Sequence, residues 1–314
     1  MRWIGETPTL TSPTVVAAFT GWNDAADAAS AAVEHLVRGW NARLIAEIDP
    51  EEFTDYATTR PTVRLHGARR RVIDWPTVRL WSVRGAGGDV VLMLGPEPST
   101  RWKLFSRVVL GILERIDASM LLTLGALLAD VPHSRPVQLI GTASDPEVIA
   151  RHGLQRSRYE GPTGIVGVLQ AACHAAAVPS ASVWAAVPAY ASHVPSPKAS
   201  LALMRRACEM IGTPAPVSSV MQLITRYEQQ VDTLVNDDSD LVEYVERLEH
   251  MSDEGMRLDD EVDDEQLPLQ YAEVGNGAGT DDSADGEDIA AEADDMFREL
   301  ERFLRDQPGT GGGG

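Results

Sequence analysis

Lysine and cysteine are nearly missing from this chain. Only Lys103 and Lys198 are lysine among 27 basic residues, and Cys173 and Cys208 are the only cysteines. Two cysteines cannot make a disulfide framework or a metal cage. Both fall in apolar helical patterns and read as small buried side chains. The excess of arginine and alanine reads as a coding bias rather than a functional signal. Long apolar runs are missing too: no stretch approaches the roughly 18 residues a membrane span needs. The N-terminus lacks the charged segment and apolar run of a signal peptide. A cytoplasmic protein with no membrane contact is therefore expected. The glycine patterns of dinucleotide-binding and phosphate-binding loops are absent, as is a nucleophile elbow.

What is present is apolar enough to fold. Of the 314 residues, 44% are hydrophobic, which excludes global disorder. Charge is unevenly placed. Residues 237–314 hold 26 acids and 5 arginines, a net of −21, whereas residues 1–236 hold 21 acids and 22 bases, a net of +1. Nucleic acid is thereby excluded as a partner, since phosphates meet no basic surplus on the body and are repelled by the acidic end.

Short apolar runs alternate with helical patterns along the first 211 residues. Strands are expected at Thr14–Phe19, Arg43–Ile48, Thr62–Leu65, Val78–Val83, Asp89–Leu94, Met120–Leu124, Val137–Ile140 and Ser182–Val187. Residues 69–76 read as turn-rich. Helices are expected from Ala25 to Val37 with Asp24 as cap and Gly39 past the end, and from a Ser99 or Thr100 cap to Ile116. Further helices are expected over Asp145–His152, from a Thr163 cap to Ala177, and from Pro197 to Ile211. The pattern predicts a mixed sheet covered on both faces. From Val217, Met221, Ile224, Tyr227, Val231 and Leu234 share helical spacing, as do Leu241, Tyr244, Val245 and Leu248; such stripes pack on the body or on a sister subunit. Residues 252–287 have a disordered composition, and Ile289–Leu304 is amphipathic.

The candidate functional residues gather in loops that follow strands. Asn23 and Asp24 open the first helix, where open α/β proteins bind ligands, although two acids there (Asp24 and Asp27) suit capping better than phosphate. Thr163 closes the turn Tyr159-Glu-Gly-Pro-Thr-Gly164. His133 and Arg135 lie in Asp130-Val-Pro-His-Ser-Arg-Pro136, a grouping that general acid–base chemistry could use. His133 and His193 lack metal-ligand spacing, so no metal is expected. Arg60, Glu97 and Lys198 complete the set that could line a cleft.

Several segments come in one order: Ala18-Phe-Thr-Gly-Trp-Asn-Asp-Ala-Ala-Asp-Ala-Ala29, Arg60-Pro61, Asp74-Trp-Pro76, Gly95-Pro-Glu-Pro98 with Trp102 and Phe105, and Leu128-Ala-Asp-Val-Pro-His-Ser-Arg-Pro136. Tyr159-Glu-Gly-Pro-Thr-Gly-Ile165, Val187-Pro-Ala-Tyr190 and Pro195-Ser-Pro-Lys198 follow. Together they resemble the proteasome assembly chaperone 2 family in its actinobacterial form, over roughly residues 1–250. The resemblance implies a three-layer α/β/α sandwich like that of nucleoside phosphorylases, a homo-oligomer with a trimer favoured, and a part in assembling proteasome subunits. Relatives that dock on proteasome rings often end in a hydrophobic residue, Tyr and a final residue; this chain ends in Gly311-Gly-Gly-Gly314.

The expected organisation is an α/β/α domain over 1–250, with a helical extension from about 215, and an acidic tail over 251–314 bearing one helix near 289–304. The expected function is a non-catalytic, oligomeric protein-binding factor without cofactor or metal. Its expected partners are other proteins, proteasome subunits among them, and further copies of itself. The alternative is a small-ligand binder or enzyme, resembling a nucleoside phosphorylase or hydrolase or a carboxylate-amine ligase. It would use a cleft at the strand C-terminal ends lined by Asn23, Asp24, Arg60, Glu97, His133, Arg135, Thr163 and Lys198.

Overall fold

The computed structural model describes residues 1–5, 9–67 and 70–255. The amphipathic segment 289–304, and the acidic stretch beyond residue 255, lie outside the described residues. In chain order the strands are β1 (Arg2–Trp3), β2 (Thr14–Thr20), β3 (Arg43–Ile48), β4 (Thr62–His66), β5 (Arg70–Asp74), β6 (Val78–Gly85), β7 (Gly88–Pro96), β8 (Met120–Ala129), β9 (Leu139–Ala143) and β10 (Ser180–Pro188). The helices are α1 (Ala28–Gly39), α2 (Trp102–Arg115), α3 (Pro146–His152), α4 (Ile165–Ala175), α5 (Pro197–Ile211), α6 (Ser218–Asn236) and α7 (Ser239–Asp253).

Eight strands make one sheet in the order β1-β3-β6-β7-β2-β8-β10-β9. The four strands β7, β2, β8 and β10 run parallel, and antiparallel strands flank them on both sides. The expected mixed sheet is therefore present. Strand β2 shows why it is sandwiched, because its side chains alternate between two cores. Val16 and Ala18 point into one with α1 and α5, including Val33, Leu36, Leu203 and Met204. Val15, Ala17 and Phe19 point into the other with α2 and α4, including Phe105, Val109, Ile165 and Leu169. Near-continuous apolar sequence in β2, β7 and β8 is what a strand covered on both faces requires.

The structure corrects some local expectations. Residues 70–74 are not a turn: β5 pairs with β4 in a separate two-stranded hairpin, from Thr62↔Asp74 to His66↔Arg70. Both faces of this hairpin meet solvent, so no inside–outside alternation marks β5 in the sequence. Neither Ser99 nor Thr100 caps α2. Their backbone N–H groups donate to the Phe53 carbonyl, and Arg101 takes the cap position with φ of 53°. Gly39 is the last residue of α1, with Trp40 after it as the cap.

The C-terminal extension folds as a helical hairpin. Tyr227, Val231 and Val235 of α6 and Val245 of α7 bury together with Ala191 and Val194 from the loop after β10. Met221 and Leu234, expected in the apolar stripe, remain 48% and 41% exposed. The buried stripe runs through Val220, Tyr227, Val231 and Val235, and those two residues lie on its flank.

Close packing of strand on strand gives a test. A Cβ at Gly125 of β8 would come within 2.4 Å of the Trp184 ring on β10, its register partner. Gly125→Ala should lower stability by about 1–3 kcal/mol through overpacking. Gly111→Ala, where a Cβ meets open space in the interior of α2, should raise it by about 0.4–1 kcal/mol. Urea midpoints of the two variants check the opposite signs.

Candidate functional site

The loop after β2 reaches sideways to β8. Gly21, with φ of +113°, turns the chain, and the Ala126 N–H donates to the Asn23 carbonyl at 2.9 Å. This places Asn23, which is fully buried, over the crevice between two parallel strands where the order of connections reverses. Its Nδ2 donates to Glu97 Oε1 at 2.7 Å. The same oxygen accepts the Ile165 N–H at 2.7 Å and so caps α4. Glu97, from the end of β7, does what the sequence reading assigned to Thr163. Thr163 instead turns its hydroxyl to the Gly164 carbonyl at 3.4 Å, and Gly164 occupies the cap position. A Cβ on Gly164 would lie 2.2 Å from Asn23 Oδ1, so this close approach requires glycine.

Asp24 caps α1 across a short 3-10 turn, Ala25–Asp27. Its Oδ1 accepts from the N–H groups of Ala29 and Ser30 at 2.7 and 3.0 Å. Reaching that far forces positive φ at Ala26 and Asp27, 49° and 53°. Asp27 occupies the position before the helix and makes no side-chain cap bond. Burial pushes the Asp24 carboxyl above the usual carboxylate range, against the downward pull of the Ser30 and Ala29 donors. Asn23 Oδ1 and Asp24 Oδ2 are buried without a hydrogen-bond partner among the described residues.

A second group forms where the loop after β8 meets α6 and α7. His133 is buried, with Nδ1 2.8 Å from the Tyr190 hydroxyl and Nε2 2.9 Å from Asp232 Oδ1. The same hydroxyl accepts the His133 backbone N–H at 2.8 Å. Lys198 donates to the His133 carbonyl at 2.6 Å and to Glu228 Oε1 at 2.9 Å. Arg135 grips Asp253 with two bonds of 2.7 Å and lies 3.4 Å from Glu249, to which Ser134 also donates. Tyr244 donates to Asp130 at 2.6 Å. The order Asp232–His133–Tyr190 resembles a proton relay. Burial, however, holds the Tyr190 phenol well above its ordinary value, and its oxygen is occupied on both sides. The adjoining cavity of about 10 Å³ is about the size of one water.

The eight candidates thus divide. Asn23, Asp24, Glu97 and Thr163 form one group, and His133, Arg135 and Lys198 another. Arg60 stands apart, exposed in the loop before β4. A larger cavity of about 260 Å³ lies at the opposite, N-terminal ends of the strands, lined by Thr14, Met120, Asp145, Arg151, His152 and Met210. Sequence reasoning missed Asp232, Glu228, Glu249 and Asp253 as partners. They sit on polar helix faces, and only the fold brings Asp232, Glu249 and Asp253 to a loop about 100 residues away and Glu228 to Lys198 at the start of α5, 30 residues away.

Two tests follow from these geometries. Asp24 holds its proton more tightly folded than unfolded, where its pKa is about 3.9. Its penalty is therefore absent below about pH 4, and stability falls as pH rises from there. Asp24→Asn should flatten that fall while keeping the Oδ1 cap, as measured by unfolding midpoints between pH 4 and 7. In the second group, Arg135→Ala breaks partly exposed pairs and should cost at most about 1 kcal/mol. His133→Ala leaves the half-buried Tyr190 hydroxyl with only the backbone N–H of residue 133 and should cost about 1–3 kcal/mol. Hydrogen exchange should rise on α6 and α7 in both variants, more so for His133→Ala.

With the geometry in hand, known proteins provide a comparison. The sequence profile of the PAC2 family matches residues 18–235. A PAC2 family protein from Streptomyces avermitilis is 45% identical with a TM-score of 0.69, the match covering 74% of this chain and 99% of that one. A proteasome-assembly chaperone homologue from Mycobacterium tuberculosis is 44% identical with a TM-score of 0.67, again over 74% and 99% of the two chains. PbaB of Pyrococcus furiosus, an archaeal proteasome activator, is 12% identical with a TM-score of 0.61 over 73% and 96%, a likeness of fold alone. No curated protein matches.

Proposed function

Since the chain belongs to the PAC2 family, we propose that it is a non-catalytic protein-binding factor, an oligomeric scaffold that helps proteasome subunits assemble in the cytoplasm. The observation that carries this reading is the β4–β5 hairpin. Val63, Leu65, Ile73 and Trp75 on it are 57%, 71%, 49% and 44% exposed. A two-stranded hairpin with no core of its own is marginal in water, so apolar side chains presented this way are suited to a partner surface. Trp75 packs at its base against Tyr56, ring centres 5.1 Å apart and planes tilted by 59°, which stiffens the point where the hairpin leaves the body.

The polar groups at the strand ends support the same reading. Glu97, His133, Arg135 and Lys198 are each engaged in holding one segment to another. The ligand-binding alternative has one observation in its favour, the unpartnered Asn23 Oδ1 and Asp24 Oδ2.

Purified full-length protein should bind proteasome subunits in a pull-down and speed their assembly into rings. Leu65→Asp with Ile73→Asp should weaken that binding at least about tenfold, or 1.4 kcal/mol, without moving the unfolding temperature, because both side chains are exposed. The proposal fails if no proteasome subunit binds. A rise in unfolding temperature with a nucleoside or small carboxylate would shift the function to the ligand reading.

A further inference from the structure

The exposed hairpin is basic as well as apolar. Residues 60–75 hold five arginines and one aspartate, a net of +4. Arg64 pairs with Asp74, whereas Arg60, Arg70 and Arg71 make no ion pair among the described residues. Across the molecule lies a surface of the opposite sign. Residues 237–254 hold eight acids and one arginine, a net of −7. Arg135 takes Glu249 and Asp253 from the body side, which leaves Asp237, Asp240, Glu243 and Glu246 facing solvent. Glu243 has only the exposed Arg247 nearby, at 3.7 Å. Beside this acidic strip Leu234 of α6 is 41% exposed, so it offers an apolar contact as well.

The topology sets these two surfaces on opposite flanks of one rim. The hairpin leaves between β3 and β6, and β6 begins beside the C-terminal end of β7. The α6–α7 pair is anchored at the ends of β8 and β10, through Asp130, His133 and Tyr190. Strands β7 and β2 stand between, so β6 and β8 are three strand spacings or about 14 Å apart. A positive apolar arm on one flank and a negative seat on the other make copies of the chain complementary to each other. Successive copies joined this way are related by rotation, and such a contact closes when the rotation does.

We propose that the β4–β5 hairpin of one copy docks on the acidic α6–α7 surface of a second copy, with Arg71, which shares a face with Leu65 and Ile73, against the strip from Asp237 to Glu246 and Arg70 adding positive charge from the other face. This rests on the protein-binding reading and deepens it: the hairpin's partner is a second copy within the scaffold, and hairpin substitutions weaken subunit binding by dismantling that scaffold. Opposed exposed charges select the partner and its orientation, while Leu65 and Ile73 supply apolar contact with Leu234.

Light scattering on the full-length protein tests it, against a single-chain mass of 34.0 kDa. The unsubstituted protein should give a multiple of that mass. R70E/R71E should fall to one chain, and so should E243K/E246K; all four substitutions together should restore the assembly by reversing both charges. Every site is exposed, so circular dichroism and unfolding temperature should not change. The inference is overturned if the unsubstituted protein is a single chain, if either pair leaves the mass unchanged, or if the fourfold variant stays single. Proteasome-subunit binding, measured on the same variants, separates this from the proposed function. Loss of assembly as expected with no subunit binding anywhere sinks only the function, and binding with an indifferent mass sinks only the hairpin contact.

Discussion

One carboxylate oxygen ties the centre of this molecule. Glu97 Oε1 takes hydrogen bonds from the buried Asn23 amide and from the first N–H of α4. It thereby joins the end of β7, the loop after β2 and the start of a helix on the far face. The loop after β2 in turn reaches β8 through the Ala126–Asn23 backbone bond. Four segments that the chain supplies at wide intervals are thus held at the strand ends by the buried Asn23 and the half-buried Glu97. A charge-assisted bond in such a setting is strong, and leaving either partner unmet is costly.

The consequence is a filled crevice. In open α/β folds the gap beyond the strand ends is where ligands bind, and here it holds Asn23, Asp24 and Gly164. The same economy governs the second group. His133, Lys198 and Arg135 point at the α6–α7 pair, and they fasten an otherwise acidic helical extension to a nearly neutral body. These polar side chains fasten one element to another. The β4–β5 hairpin stands outside this fastening, with Val63, Leu65 and Ile73 exposed.

The layers were legible in the sequence because burial leaves a period. Val15, Val16, Ala17, Ala18 and Phe19 form an unbroken apolar run, which only a strand covered on both faces tolerates. The start of α5 was readable at Pro197, because proline suits the first position of a helix. Strand β5 was not readable, since Arg70, Arg71, Val72 and Ile73 alternate in doublets, and its pairing with β4 replaces burial as the ordering force. The cap of α4 was not readable either: Thr163 was the local choice, and an acid 68 residues away took the role.

By itself, then, the sequence determined the architecture: apolar periodicity is a local property, and it states which faces of each strand and helix must leave water. It also determined which loops carry polar groups and where charge divides along the chain. Only the tertiary structure decided what those groups do. Whether a histidine is a base or a buttress depends on what stands within hydrogen-bond reach, and for His133 those neighbours are Tyr190 and Asp232, brought together from distant parts of the chain by the sheet and its helical cover.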